Sequence, residues 1–153
     1  MQSNYNVLIM GASYGSLLAT KLLLAGHSAE LICLPAEADL INNEGARVRM
    51  PVKGRDGLVE IDSRKLPGKL SAGGPAGVNP SEFDLVALAM QEPQYRSAGV
   101  RELLDTVAKA RVPCMSIMNM PRCLTSRAFR ASWSMHAEAA TRMQASGTVS
   151  TPS

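Results

Sequence analysis

The chain has 153 residues, 46% of them hydrophobic and 19% charged, enough for one domain with a real core and ordinary for a globular protein. Its formal charge of +3 sits at one end: residues 1–121 hold twelve basic and twelve acidic side chains, whereas residues 122–153 hold Arg122, Arg127, Arg130 and Arg142 against Glu138 alone. A neutral body makes no electrostatic case for nucleic acid. No apolar run approaches the roughly 20 residues of a membrane span, and Cys33, Cys114 and Cys123 lack metal spacing, so reduced thiols, no metal and a cytoplasmic setting are expected.

In chain order, Met1-Gln2-Ser3-Asn4 leads without a basic leader pattern into Asn6–Met10. Val7, Leu8, Ile9 and Met10 run on with no polar break, as in a parallel strand covered on both faces. A tight turn, Gly11-Ala12-Ser13-Tyr14-Gly15, precedes a helix over 17–25, where Leu17, Leu18, Leu22 and Leu24 fall at helical spacing. Gly26 suits the position just past a helix end. A second strand is expected over 29–34. Pro35 then opens a helix over 36–43, with Glu37 and Asp39 in its first part. Residues 46–61 read as an antiparallel hairpin turning at Gly54-Arg55-Asp56-Gly57.

Residues 67–80 are rich in Gly, Pro, Ser and Ala and are expected to be loop. A buried strand over 83–90, an amphipathic helix over 97–111 and a strand over 113–118 complete the pattern. The order β-α-β, hairpin, β-α-β predicts an α/β, Rossmann-type, doubly wound and mostly parallel sheet in a single domain over 1–121. Residues 122–153 keep no sustained period. They are expected to form an irregular tail, with an Ala-rich helix near 131–144 and a disordered end, or to be an out-of-frame translation.

The glycine turn carries the main functional signal. Placed after a buried strand and before a helix, it would aim the amides of Gly11, Ala12, Ser13, Tyr14 and Gly15 at a phosphate. The spacing is Gly-x-x-x-Gly: Gly11 would supply the turn and Gly15 the helix–strand packing, with Ala12 and Ser13 in place of a middle glycine. A purely structural turn is the alternative. The end of the second strand normally distinguishes cofactors, an acid binding a ribose 2′-hydroxyl and an Arg a 2′-phosphate. Here stand Cys33-Leu34-Pro35, with Glu37 and the more distant Arg47 as stand-ins, so the position leaves NAD and NADP both open. Gln91, Gln94 and Asn119 lie just past the carboxyl ends of predicted strands, where ligands of open α/β sheets are contacted. Ordinary loop roles compete with a site role for each. His27 reads as a turn residue away from that edge, and Cys114 as a buried strand residue. No catalytic residue is assigned.

Taken together, Gly11 to Gly15, Ala25-Gly26-His27, Ile41-x-x-x-Gly45 leading into Arg47-Val48-Arg49, Phe83-Asp84-Leu85-Val86, and Asn119 resemble the N-terminal half of ketopantoate reductases (2-dehydropantoate 2-reductases), over about residues 5 to 120. The resemblance implies NADPH-dependent hydride transfer to an α-keto acid. It also implies a second, all-helical domain carrying the catalytic lysine and a substrate-binding acid, for which residues 122–153 offer no counterpart. The chain alone is therefore expected to hold a dinucleotide, NADP with NAD also open, without turning over substrate, and to self-associate through apolar surface near 113–121. Three positions depart from the family: Leu34 stands where its 2′-phosphate-binding Arg is expected, Gln91 where a Lys is expected, and Met120-Pro121 follow Asn119. A non-catalytic nucleotide-binding or interaction module is the alternative. A short-chain dehydrogenase is disfavoured, since Tyr5, Tyr14 and Tyr95 lack a Lys four residues on.

Overall fold

The centre of the molecule is strand β1 (Asn6–Met10), whose Leu8, Ile9 and Met10 are wholly shielded from solvent. The computed structural model describes residues 4–117, the Glu92 side chain excepted. Helix α1 (Ala12–Leu24), strand β2 (Ser28–Ile32), helix α2 (Pro35–Glu44) and the hairpin strands β3 (Arg47–Pro51) and β4 (Leu58–Asp62) follow. Strand β5 (Leu70–Gly73), strand β6 (Leu85–Leu88), helix α3 (Ala98–Ala110) and strand β7 (Cys114–Ser116) complete the described chain. Short 3₁₀ turns span Ser63–Lys65, Pro80–Glu82 and Glu92–Arg96.

Five strands form one parallel sheet in the order β5-β2-β1-β6-β7. Side chains alternate across it. Val7 and Ile9 of β1, Leu31 of β2, and Ala87 with the following Ala89 pack on the face covered by α1, against Ala19 and Leu23. Leu8 and Met10, Ile32, Val86 and Leu88 pack on the other face, against Val100, Leu103, Leu104 and Val107 of α3. This is the Rossmann-like α/β architecture the order of elements predicts, with β1 inside and the chain crossing from one half of the sheet to the other between β5 and β6. The hairpin β3–β4 is a separate two-stranded antiparallel sheet, with Arg47 opposite Asp62. It is tied back at its base, where Ala46 N–H donates to the buried Ser63 Oγ at 2.9 Å and Ser63 N–H to Ala46 O at 2.9 Å.

Local chemistry explains the boundaries. Helix α1 ends in a Schellman motif: His27 N–H reaches Leu22 O at 2.9 Å and Gly26 N–H reaches Leu23 O at 3.0 Å, with Gly26 at φ +85°. Helix α2 starts with Pro35 after Leu34, whose N–H donates to Glu37 Oε2 at 3.3 Å and whose carbonyl accepts from Ala38 N–H at 2.9 Å.

Four expectations are corrected. The stretch Gly11 to Gly15 is not a five-residue turn, because the helix begins at Ala12 and Gly11 alone makes the bend. Strand β2 stops at Ile32, and Leu34 already belongs to the start of α2. The expected loop over 67–80 contains β5, paired with β2 from Ala29↔Leu70 to Ile32↔Gly73. Its outer edge is held by the Asn42 side chain, which donates to Ala72 O at 2.8 Å and accepts from Ala72 N–H at 3.0 Å. The strands expected over 83–90 and 113–118 are shorter, at Leu85–Leu88 and Cys114–Ser116. The helices expected over 36–43 and 97–111 and the hairpin over 46–61 stand close to their predicted bounds. Asn119 and the tail over 122–153 lie outside the described residues.

Candidate functional site

A cavity of about 510 Å³ opens at the carboxyl ends of β1, β2 and β6, at the point where the sheet's connectivity changes direction. Ligands of open α/β sheets bind at this kind of place, and the volume is in the range of a small-molecule site.

Its first wall is the start of α1. Gly11 bends the chain at φ +109°, where a Cβ would lie 2.8 Å from Ala89 O and 3.0 Å from Met90 Cγ. Only a residue without a side chain fits between β1 and the end of β6. Its own N–H is taken by Ile32 O at 2.8 Å, so Gly11 shapes the site without offering an amide to it. The next three amides, those of Ala12, Ser13 and Tyr14, belong to the first turn, where an α-helix provides no acceptor of its own. All three residues line the cavity, no side chain caps the helix, and its first turn carries no acid. The positive end of the helix dipole thus faces the cavity.

Gly15 sits elsewhere. It is a buried residue of α1 whose N–H donates to Gly11 O at 3.2 Å, and a Cβ there would lie 2.5 Å from Ile9 Cγ2. It lets the helix approach the sheet and does not line the cavity, in keeping with the packing role read from its spacing.

The second wall is the corner between β2 and α2, built by Ile32, Cys33, Leu34 and Glu37. Leu34 is 69% exposed. Burial, and then the neighbouring charge of Glu37, push the Cys33 thiol up from its ordinary value, so it is not an activated thiolate. Arg47 stands on the hairpin and does not line the cavity.

The third wall follows β6. Ala89 and Met90 lead into a 3₁₀ turn in which Gln91 N–H donates to Gln94 Oε1 at 2.8 Å and Gln94 N–H to Gln91 O at 3.0 Å. The buried Tyr95 fixes the bend by accepting the Met90 N–H at its hydroxyl, 3.1 Å away. Gln91 and Gln94 both line the cavity, as do Ser97 and Val100 at the start of α3. Gln94 therefore holds its own turn together, whereas Gln91 stands exposed at the rim.

The other residues singled out from sequence lie away from the site. His27 is at the amino end of the sheet, where its Nδ1 accepts Tyr5 N–H at 3.4 Å and its ring meets the Tyr5 ring edge-on. Burial raises the Cys114 thiol to about 11 and leaves it unreactive. Among the described residues no group of three His, Cys, Asp or Glu is arranged to hold a metal, and no helix is long and apolar enough to cross a membrane. Pro75 and Ser97 were missed because nothing in their local sequence marks them; both reach the cavity through the long-range pairing of β5 with β2 and the bend after β6.

The fold and the site thus define a Rossmann-like α/β domain with an open helix N-terminus facing a cavity at the sheet's crossover. A solved structure from Ralstonia solanacearum MolK2, described as a "putative ketopantoate reductase", is similar over 71% of this chain and 27% of that one, at 22% identity and a TM-score of 0.43. The chain spans about a quarter of that protein's length. No protein-family model matches the sequence, and no curated protein matches it.

Proposed function

We propose that the chain is the nicotinamide-dinucleotide-binding domain of an oxidoreductase of the ketopantoate reductase type, holding NADP(H) or NAD(H) for hydride transfer to an α-keto acid. The observation that carries this reading is the first turn of α1: three amides without helical acceptors, at the positive end of a helix, opening into a 510 Å³ cavity at the sheet crossover. Gly11 gives the cradle its shape, since a Cβ would fill the space between β1 and Ala89. A pyrophosphate would lie against Ala12, Ser13 and Tyr14. Gln91 and, on the strength of the sequence alone, Asn119 would contact the ribose or nicotinamide side; Leu34 would line the adenosine side. The nicotinamide ring supplies the hydride when bound.

Among the described residues no Lys, Arg or His lines the cavity to protonate a carbonyl oxygen or grip a carboxylate. The proton donor and the substrate clamp are accordingly assigned to a second domain, as in the family the sequence resembles, in a cytoplasmic protein.

Ser13→Asp tests the reading without disturbing the fold. Ser13 is exposed in the first turn of α1, where a carboxylate stabilises a helix by about 0.3–1 kcal/mol. The same carboxylate would occupy the pyrophosphate position. Fluorescence titration with NADH and NADPH is expected to show binding by the original chain and a loss of about tenfold or more in the variant, while thermal unfolding is unchanged or slightly raised. Failure of the original chain to bind either dinucleotide, or equal affinity in the variant, would overturn the assignment.

A further inference from the structure

The charge distribution at the β2–α2 corner bears on which dinucleotide fits. In β-α-β nucleotide folds the adenosine ribose lies over the end of the second strand. Here that wall is Ile32, Cys33, Leu34 and Glu37, and among the described residues Glu37 is the one charged side chain lining the whole cavity. No cation lines it. Arg47 is at the start of the hairpin, and Arg49 is engaged with Glu60 at 3.0 Å, both outside the cavity lining.

Glu37 is also held in place. Its Oε2 accepts the Leu34 N–H at 3.3 Å, and it stands in the first turn of α2, where the helix end favours a negative charge. One carboxylate oxygen is thus anchored to the backbone and the other remains for a ligand. Along the same wall the Cys33 thiol is pushed up by burial and, secondarily, by the Glu37 charge.

A carboxylate accepts hydrogen bonds from the two hydroxyls of a ribose diol, but it has no proton to give a phosphate dianion and repels it. A 2′-phosphate at this corner would meet a fixed anion, and among the described residues no guanidinium or ammonium lines the cavity to offset it. We propose that Glu37 is the specificity-determining residue of the site, that it binds the 2′- and 3′-hydroxyls of the adenosine ribose, and that the chain therefore takes NAD(H) in preference to NADP(H). The proposal rests on the dinucleotide reading of the cavity, and it reverses the cofactor that the family resemblance implies.

Calorimetric titration of the full chain with NADH and NADPH is the test, with competition by 5′-AMP against adenosine 2′,5′-bisphosphate reporting the ribose corner alone. NADH is expected to bind about tenfold or more tightly than NADPH. Glu37→Gln keeps a carbonyl oxygen for the Leu34 N–H and is expected to bring the two affinities close together. Glu37→Arg is expected to reverse the order, and circular dichroism would confirm that both variants fold. An original chain that binds NADPH as tightly as NADH, or a ratio unmoved by Glu37→Arg in a folded variant, overturns the role of Glu37 and leaves the dinucleotide site standing. Binding of neither cofactor overturns both.

Discussion

Two glycines four positions apart in one motif answer to different forces. Gly11 is fixed by a positive φ and by the closeness of Ala89 O; Gly15 is fixed by Ile9 beneath it. Alanine at either position is expected to destabilise the fold by about 1–3 kcal/mol in urea unfolding, through backbone strain and overpacking at the first and overpacking at the second. A Gly15→Val variant that lost cofactor affinity would therefore report on packing, and Ser13 is the residue that isolates the phosphate contact. Glu30 supplies a pH test at the same scale. Burial, and then the charge of Glu82, raise its carboxyl above the ordinary 4.5. The folded state then binds this proton more readily than the unfolded chain, so the group weakens the fold at neutral pH, and the penalty fades as pH falls through the raised value. Glu30→Gln is expected to raise the unfolding midpoint at pH 7 and to give no advantage below pH 4.5, measured by denaturation across that range.

At the scale of elements, strand β5 and the turn after β6 are held by single side chains from elsewhere. Removing the Asn42 amide frees both the N–H and the carbonyl of Ala72 at the sheet's edge; because water can reach them, Asn42→Ala is expected to cost only about 1 kcal/mol by chemical denaturation. Tyr95→Phe leaves the Met90 N–H without its buried acceptor, and about 1–3 kcal/mol is the expected loss in the same measurement. These contacts also mark where sequence reasoning succeeded and failed. Strand β1 and helix α3 were legible because Val7 to Met10, and Val100, Leu103, Leu104 and Val107, carry their burial in their own spacing. Strand β5 was not, because Leu70-Ser71-Ala72-Gly73 has little strand propensity and is ordered by β2 on one side and Asn42 on the other. Of the site, Gly11 and the residues after it were visible as a glycine motif. Which amides remain for a ligand was not, since that depends on where the helix starts and on Ile32 O claiming the Gly11 N–H.

Across the whole molecule, stability is unevenly distributed. The sheet buries both faces of β1, β2 and β6, whereas among the described residues the β3–β4 hairpin pairs only with itself, and its exposed Arg49–Glu60 ion pair contributes little. Amide hydrogen exchange is expected to be slowest in residues 7–10 and 86–88 and markedly faster through the hairpin over 47–62; uniform protection would contradict that division. The pairing of β1 with β6 has a further consequence in time. Asn6 N–H is held by Asp84 Oδ2 at 2.8 Å, across most of the described chain. During synthesis β1 and β2 leave the ribosome together, but the other edge of β1 stays bare until β6 follows, several seconds later at about 5–20 residues per second. Val7-Leu8-Ile9-Met10 is thus an apolar strand with one edge unpaired until its distant partner has been made.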